Sequence, residues 1–288
     1  MVHEIAPLVS IGVPTYNRPE GLRRTLLCLS NQTHPNLDIL VSDNCSPGKA
    51  TANVVAEMAE RDPRIRFVRQ TQSLGVSGNF RFVLRETAAD YFMWAADDDT
   101  WRPGFIERCL NAMQNGAVSA MSGFQIVYRI SNRVIDGRMP AFGPRNDVAK
   151  NIAAFFHRMT PSLVYGLHRR SAIDFFLKDD FFDYYDCYFA LRLLANGGIA
   201  LVPEQLYEAG IEAEKYIVKP MGKSWGSGLQ YAPFYRAVHR LFAETQLTGA
   251  ERVRLNLLLA ITVAKLFSMN ETRHVIKYLG WGGNKNGG

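Results

Sequence analysis

Cysteine is scarce in this chain of 288 residues: Cys28, Cys45, Cys109 and Cys187 are widely spaced and form no CxxC pair. Neither a zinc site nor a disulfide framework is indicated, and a reducing compartment fits that usage. The opening Met-Val-His-Glu-Ile-Ala-Pro has neither the basic start nor the apolar core of a secretory leader. No uncharged apolar run approaches the ~20 residues that a membrane-spanning helix needs. These absences lead to the expectation of a cytoplasmic protein. Internal repeats are missing too, as is any helix-turn-helix, zinc-finger or RNA-recognition signature, and Arg and Lys form no dense block with interleaved aromatics. Nucleic acid is not an expected partner.

What the chain does hold is ordinary globular material, 47% hydrophobic and 21% charged, enough for the core of one or two domains. A formal net charge of +6 favours anionic partners, nucleotide-sugar diphosphates and lipid phosphates among them.

The most informative stretch is Tyr91-Phe-Met-Trp-Ala-Ala-Asp-Asp-Asp-Thr-Trp-Arg-Pro103. An apolar strand ends abruptly in Asp97, Asp98 and Asp99, with a Pro-containing helix start behind them. Adjacent carboxylates repel by roughly 1 kcal/mol per close pair even in water, so a positive group is expected beside them. A hard divalent cation carrying a phosphorylated substrate meets that need, since Mg²⁺ binds through one or two carboxylates plus phosphate oxygens. The plainer alternative is a solvated acidic turn, with Asp99 or Thr100 capping the next helix.

Upstream, Leu8–Pro14, Leu37–Ser42 and Ile65–Val68 read as short buried strands, with a fourth at Tyr91–Ala95. Helices are expected at about 19–31, 50–61 and 76–87. Strands alternating with helices imply an α/β fold with a mostly parallel sheet covered on both faces. Ligands bind such sheets at the carboxyl ends of the strands. The loop Thr15–Arg18, the turn at Asp43 and the acids Asp97–Asp99 all follow strands, so they should share one rim. Further on, a helix is expected over about 103–115, two β segments within Val118–Val134, an irregular Gly/Pro-rich stretch at Gly137–Asn146 and a strand at Leu163–Leu167. A helix ending near Asn196 and a late strand at Ile199–Pro203 follow. Beyond a Gly-rich loop (Gly222, Gly226, Gly228), helical segments run from about Pro233 to Glu244 and Ala250 to Leu279, with a disordered tail over 282–288. The apolar run Leu255–Phe267, preceded by Arg252 and Arg254, is too short to cross a bilayer; it is either a buried helix or a peripheral contact with an anionic membrane.

Four ordered segments resemble a family-2 glycosyltransferase of the GT-A (Rossmann-like) fold. Val9–Arg18 resembles that family's opening strand and loop, and Val41–Ser46 its second strand. Asp97–Pro103 resembles its DxD region, and Tyr185–Arg192 its late helix. The resemblance covers residues 8 to about 208. It implies a catalytic domain over 1–218, its nucleotide-sugar half at about 1–100 and its acceptor half at about 101–218, followed by a C-terminal helical extension at 219–281. Three departures accompany it. Ala96 stands where many members have an acid, Tyr185 replaces a Glu, and no Arg-x-His segment follows residue 208.

The resemblance further implies inverting transfer from a nucleotide sugar, with uracil as the base, to a glycan or lipid-linked saccharide in surface polysaccharide assembly. Asp99, with Asp97, would hold Mn²⁺ or Mg²⁺. Asp97 or Asp98 would touch the donor, and Asp43 would accept a hydrogen bond from the base. Pro14, Thr15, Tyr16 and Arg18, with Gly75 and Asn79, would complete the nucleotide-sugar site. Asp43 also suits a plain turn, and Gly75 and Asn79 a plain helix start. Asp186 is the candidate general base, on the opposite face of the sugar from the leaving diphosphate; a helix cap is its bland alternative, and Asp180 and Asp183 are nearby substitutes. Trp101, Tyr185 and Arg192 are acceptor-side candidates, although the aromatics from Phe181 to Tyr188 and Trp101 itself are also good core material, and Arg192 could pair with Asp186 or a donor phosphate, or equally make a plain surface ion pair. A nucleotidyltransferase and an inactive sugar- or lipid-binding relative remain the rival readings.

Overall fold

The computed structural model describes residues 6–211 and 229–278. A central sheet is built from nine strands among these residues. Its first half comprises β1 (Val9–Thr15), β2 (Leu37–Asp43), β3 (Ile65–Arg69) and β4 (Tyr91–Trp94), in the order β3-β2-β1-β4 with every neighbour parallel. Each residue of β1 is buried, which is why the strand reads as an unbroken apolar run and shows no alternation. Helices α1 (Pro19–Ser30), α2 (Ala50–Arg61) and α3 (Gly75–Arg85) connect these strands. Pro19 opens α1 at a position where its missing N–H costs nothing, and Leu22, Leu26 and Leu29 fall on its buried stripe.

The second half is more irregular. β5 (Thr100–Trp101) follows the acids directly, and α4 (Phe105–Ala112) follows it. β6 (Ser119–Tyr128) turns back on β7 (Arg133–Asp136) and runs parallel to β9 (Ile199–Ile211), while β8 (Leu167–Arg169) wedges antiparallel between β4 and β6. The edge is β5 against β9. The strand expected at Leu163–Leu167 is instead a 3-10 turn over Pro161–Tyr165, with β8 beginning only after Gly166. The late strand runs eight residues past Pro203, carried by a register shift opposite Ser122 to Phe124 that absorbs the proline. Helix α5 (Val148–His157) was not anticipated; it buries Ile152, Phe155 and Phe156.

After α6 (Tyr185–Asn196), α7 (Ala232–Glu244) and α8 (Gly249–Tyr278) complete the chain. Phe234, Val238, Leu241 and Phe242 of α7 and Leu255 and Leu259 of α8 join the same core cluster as the sheet. These two helices therefore share one core with the sheet. On its other side α8 leaves Val253 72% and Leu257 61% exposed. No helix among the described residues is long and apolar enough to cross a membrane. The expected domain border at 218/219, the Gly-rich loop and the tail at 282–288 lie outside the described residues.

Candidate active site

The parallel register sets Thr15 opposite Asp43 and leaves the end of β4 beside β1. The three expected loops do meet on one rim. Thr15 Oγ1 donates to Asp97 Oδ2 at 2.7 Å, and the Tyr16 N–H donates to the same oxygen at 3.3 Å. Arg18 Nη1 lies 3.1 Å from Asp97 Oδ1 and 2.8 Å from Asp98 Oδ2. The positive group that the acidic triplet calls for is thus present in the chain: Arg18 bridges two of the three carboxylates. Burial pushes the Asp97 pKa up, opposed by the Thr15 hydrogen bond and the charge of Arg18.

Asp99 points the other way. The Tyr207 hydroxyl donates to Oδ2, and the Gly210 N–H donates to Oδ1 at 2.7 Å. Burial, reinforced by the neighbouring charge of Asp98, pushes this carboxyl up to about 8, against the Tyr207 and Gly210 hydrogen bonds. Asp97 and Asp98 lie in a turn that the Asp99 N–H closes onto the Ala96 carbonyl at 3.3 Å, and Asp99 emerges from it on the interior side. Both of its carboxylate oxygens are thus occupied by protein donors, which does not suit its expected place as first metal ligand.

The backbone of the triplet is gripped from both sides. A Cβ on Gly21 of α1 would collide with the Asp97 carbonyl oxygen, and one on Gly210 with the Asp98 carbonyl oxygen. Thr25 Oγ1 lies 3.1 Å from the Ala96 carbonyl and 2.8 Å from that of Asp99.

Asp43 is fully buried. Its Oδ1 accepts from the Ser46 hydroxyl and from the Ser46 N–H at 3.0 Å, closing the turn. Its Oδ2 accepts no hydrogen bond, and the nearest cation, Arg69 Nε, stands 3.7 Å away. The turn reading and the ligand reading therefore both have a carboxylate oxygen to themselves. Ser46 Oγ also accepts from the Asn17 N–H at 2.7 Å, with Asn17 in the left-handed region at φ 53°. Pro14 lies in buried β1, and Tyr16 is exposed at the lip. Asn79 is locked elsewhere: its amide donates to the Ser42 carbonyl at 2.9 Å and accepts from the Ser42 hydroxyl at 2.6 Å. Gly75 begins α3 at φ 69°, with its carbonyl near the Asn44 amide at 3.3 Å. Both act as braces of the β2 turn.

Asp186 lies in the first turn of α6, after Tyr184 at φ 67°. Oδ1 accepts from the Cys187 N–H at 2.7 Å. Burial pushes its pKa up, the direction that makes a carboxylate a stronger base. The acceptor-side candidates fare differently. Trp101 is 1% exposed and packs between Phe105 and Tyr207, with ring centroids 6.5 and 5.3 Å away. Tyr185 is buried among Phe176, Phe181 and Phe182 and donates to Asp179 Oδ2 at 3.1 Å. Both are core residues with no face left for an acceptor. Arg192 stacks 4.0 Å from the Phe175 ring centre and lies 3.4 Å from Asp179, so its ion pair is with Asp179 and not Asp186.

Tyr207, Gly210, Gly21, Thr25 and Ser46 shape the site and had not been singled out. A glycine inside the helical pattern of α1 was a usable signal of close approach; Tyr207 and Gly210, more than 100 residues from Asp99, had none.

Among the described residues no cluster of three or more Asp, Glu, His or Cys is arranged to hold a metal alone. Two carboxylates already gathered round one cationic group fit a hard divalent ion completed by phosphate oxygens.

The sequence pattern of glycosyl transferase family 2 matches residues 10–192. The chain is 24% identical over 122 residues to the putative teichuronic acid biosynthesis glycosyltransferase TuaG of Bacillus subtilis. It is 30% identical over 111 residues to the GalNAc(5)-diNAcBac-PP-undecaprenol beta-1,3-glucosyltransferase of Campylobacter jejuni. These matches cover 42% and 38% of this chain and span 48% and 36% of the relatives' own length. Among solved structures, S. aureus TarS 1-349 superposes with a TM-score of 0.66 at 14% identity, covering 89% of this chain and 71% of that one. The mannosyltransferase PcManGT of Pyrobaculum calidifontis gives 0.51 at 14% identity, covering 96% and 85%. At that identity the likeness is one of fold. With the family pattern spanning well over half the sequence and the rim assembled as described, the chain belongs to glycosyl transferase family 2.

Proposed function

We propose that this protein is an inverting glycosyltransferase that moves a sugar from a nucleoside-diphosphate donor, UDP-linked, to a saccharide or lipid-linked saccharide acceptor. The observation that carries the reading is Asp43 Oδ2, a buried carboxylate oxygen with no hydrogen bond on the rim shared with Asp97 and Asp98. A buried acceptor left unmade is costly, and a uracil N3–H satisfies it. TarS has been solved with UDP and with UDP-GlcNAc, and PcManGT with GDP-Man and Mn²⁺; those ligands support the same class of donor here.

In this reading Asp186 accepts the proton of the acceptor hydroxyl as its oxygen forms a bond to the anomeric carbon, and the carbon–oxygen bond to the diphosphate breaks on the opposite face. Asp97 and Asp98 would hold Mg²⁺ or Mn²⁺, which when bound neutralises charge on the departing diphosphate. Thr15 and the Tyr16 N–H hold Asp97 in place, and Asp43 orients the base. Assembly of a surface polysaccharide is the setting that the TuaG and Campylobacter relatives' names suggest. Peripheral contact with an anionic membrane, at its inner face, belongs to the same proposal. The exposed Val253, Leu257 and Ile261 on α8, with exposed Arg254 and Lys265 beside them, support it.

Calorimetry with UDP in Mn²⁺ tests the nucleotide assignment. Wild-type protein should bind, and Asp43→Ala should bind about tenfold more weakly, the worth of one buried hydrogen bond to a charged group. Failure of the wild type to bind UDP or to turn over any nucleotide-sugar donor would overturn the reading in favour of an inactive relative.

A further inference from the structure

A second polar group on this rim has bonds unmade, and it is a donor. β6 ends at Tyr128, and the backbone N–H of Arg129 continues the ladder to the Ile211 carbonyl at 2.9 Å. The main chain is therefore fixed, but two donors of the side chain are not. Nε and Nη2 of Arg129 are both buried, and neither has a hydrogen-bond partner. No carboxylate among the described residues forms an ion pair with it.

Gly210 fixes where this guanidinium lies. A Cβ built on that glycine would stand 2.9 Å from the Asp98 carbonyl carbon and 3.4 Å from Arg129 Nε. Arg129 thus stands beside the backbone of the acidic loop, reached from the opposite half of the sheet. Three properties make the arrangement informative. An arginine cannot shed its proton to escape burial. Buried donors in folded proteins are almost always satisfied. And the other arginine at these acids, Arg18, already spans Asp97 and Asp98.

Nε–H and Nη2–H together form the side-on edge of the guanidinium, two parallel donors whose spacing matches two oxygens of a phosphate. We infer that Arg129 binds an oxyanion, gripping two non-bridging phosphate oxygens of bound substrate through that edge. This deepens the nucleotide-sugar reading and rests on it for the ligand's identity. The phosphate belongs either to the donor diphosphate or to a phosphate carried by the acceptor. Arg129 is a binding residue in this assignment, and its free edge is the complement of the free oxygen on Asp43: one end of the rim lacks a donor, the other lacks an acceptor.

Calorimetry in EDTA, which takes metal out of the comparison, tests it with uridine, UDP, inorganic pyrophosphate and inorganic phosphate as probes. Arg129→Gln should weaken UDP and pyrophosphate at least tenfold and leave uridine unchanged, with Arg129→Lys recovering part of the loss. If UDP binds both proteins equally but inorganic phosphate added to the UDP-saturated protein binds only the wild type, the phosphate is the acceptor's. Equal binding of every phosphate probe to wild type and Arg129→Gln, or none to either, overturns the inference. Failure of the nucleotide reading looks different: wild type would then ignore uridine while pyrophosphate still depended on Arg129. Thermal melting without ligand provides the second readout. Two buried donors without partners do not stabilise the free protein, so Arg129→Met should melt no lower than wild type. A fall of several degrees with anion binding intact would make the residue structural and overturn the assignment.

Discussion

The two halves of the sheet solve different problems. In β3-β2-β1-β4 every pair is parallel, and the polar groups at the strand ends are tied to one another: Thr15 to Asp97, Ser46 to Asp43 and Asn17, Asn79 to Ser42. In β8-β6-β9-β5 the directions mix and the long ladder shifts register; Arg129, just past β6, keeps two buried donors without partners, and Asp186 on α6 accepts from the Cys187 N–H. The contrast teaches that a floor of side chains that satisfy each other can still leave single atoms unbonded, Asp43 Oδ2 in one half and Arg129 Nε and Nη2 beside the other.

The largest expected effect breaks that contrast at α6. Asp186→Asn should lower kcat by about 10²–10⁴, the range of a lost general base, with UDP affinity unchanged; steady-state kinetics beside calorimetry check it. The base works only when deprotonated, and burial shifts its pKa upward. Turnover should therefore rise with pH through a value above the ordinary Asp pKa of about 3.9, and the Asn variant should lose that limb. Wild-type rates in the variant would remove Asp186 from the mechanism.

Where the halves touch, Gly210→Ala forces a methyl into the Asp98 carbonyl. Overpacking of that kind costs about 1–3 kcal/mol, read by denaturant unfolding, and should weaken UDP binding by displacing the acids. A fully stable, fully active variant would show that the contact is soft. At the floor, Ser46→Ala leaves Asp43 Oδ1 with one donor fewer and should cost about 1 kcal/mol of stability, while Asp43 keeps its free oxygen and UDP still binds. The smallest effect belongs to Trp101→Phe. Its indole N–H is buried without a partner, so the swap forfeits no hydrogen bond and should leave the acceptor KM where it was, within about twofold. A selective rise in that KM would return Trp101 to the acceptor site.

The same contrast explains what could be read from the sequence. β1 to β4 were legible because parallel strands buried on both faces read as plain apolar runs. Their shared rim followed from the carboxyl-end rule, so the meeting of Thr15, Asp43 and Asp97 was legible too. The direction of each aspartate was not: three identical neighbours carry no sign of which one faces inward, and the partners that decide it, Tyr207 and Gly210, sit on β9. α5 was hidden behind the Gly/Pro-rich stretch before it. Aromatic side chains near Asp186 suit a sugar platform and a core equally well by composition; only their mutual ring contacts decide for the core. Arg129 is one of 33 basic residues, in no motif, and only its missing partners set it apart.

The close approach of Gly21 and Gly210 to the acidic loop has a consequence for redesign. Because part of the loop's hold is backbone against backbone, that part does not depend on the side chains at the exposed lip. Libraries that randomise Tyr16 or the lip around it can vary donor preference without disturbing the anchoring of Asp97 and Asp98. The two glycines are the positions such a library has to leave untouched.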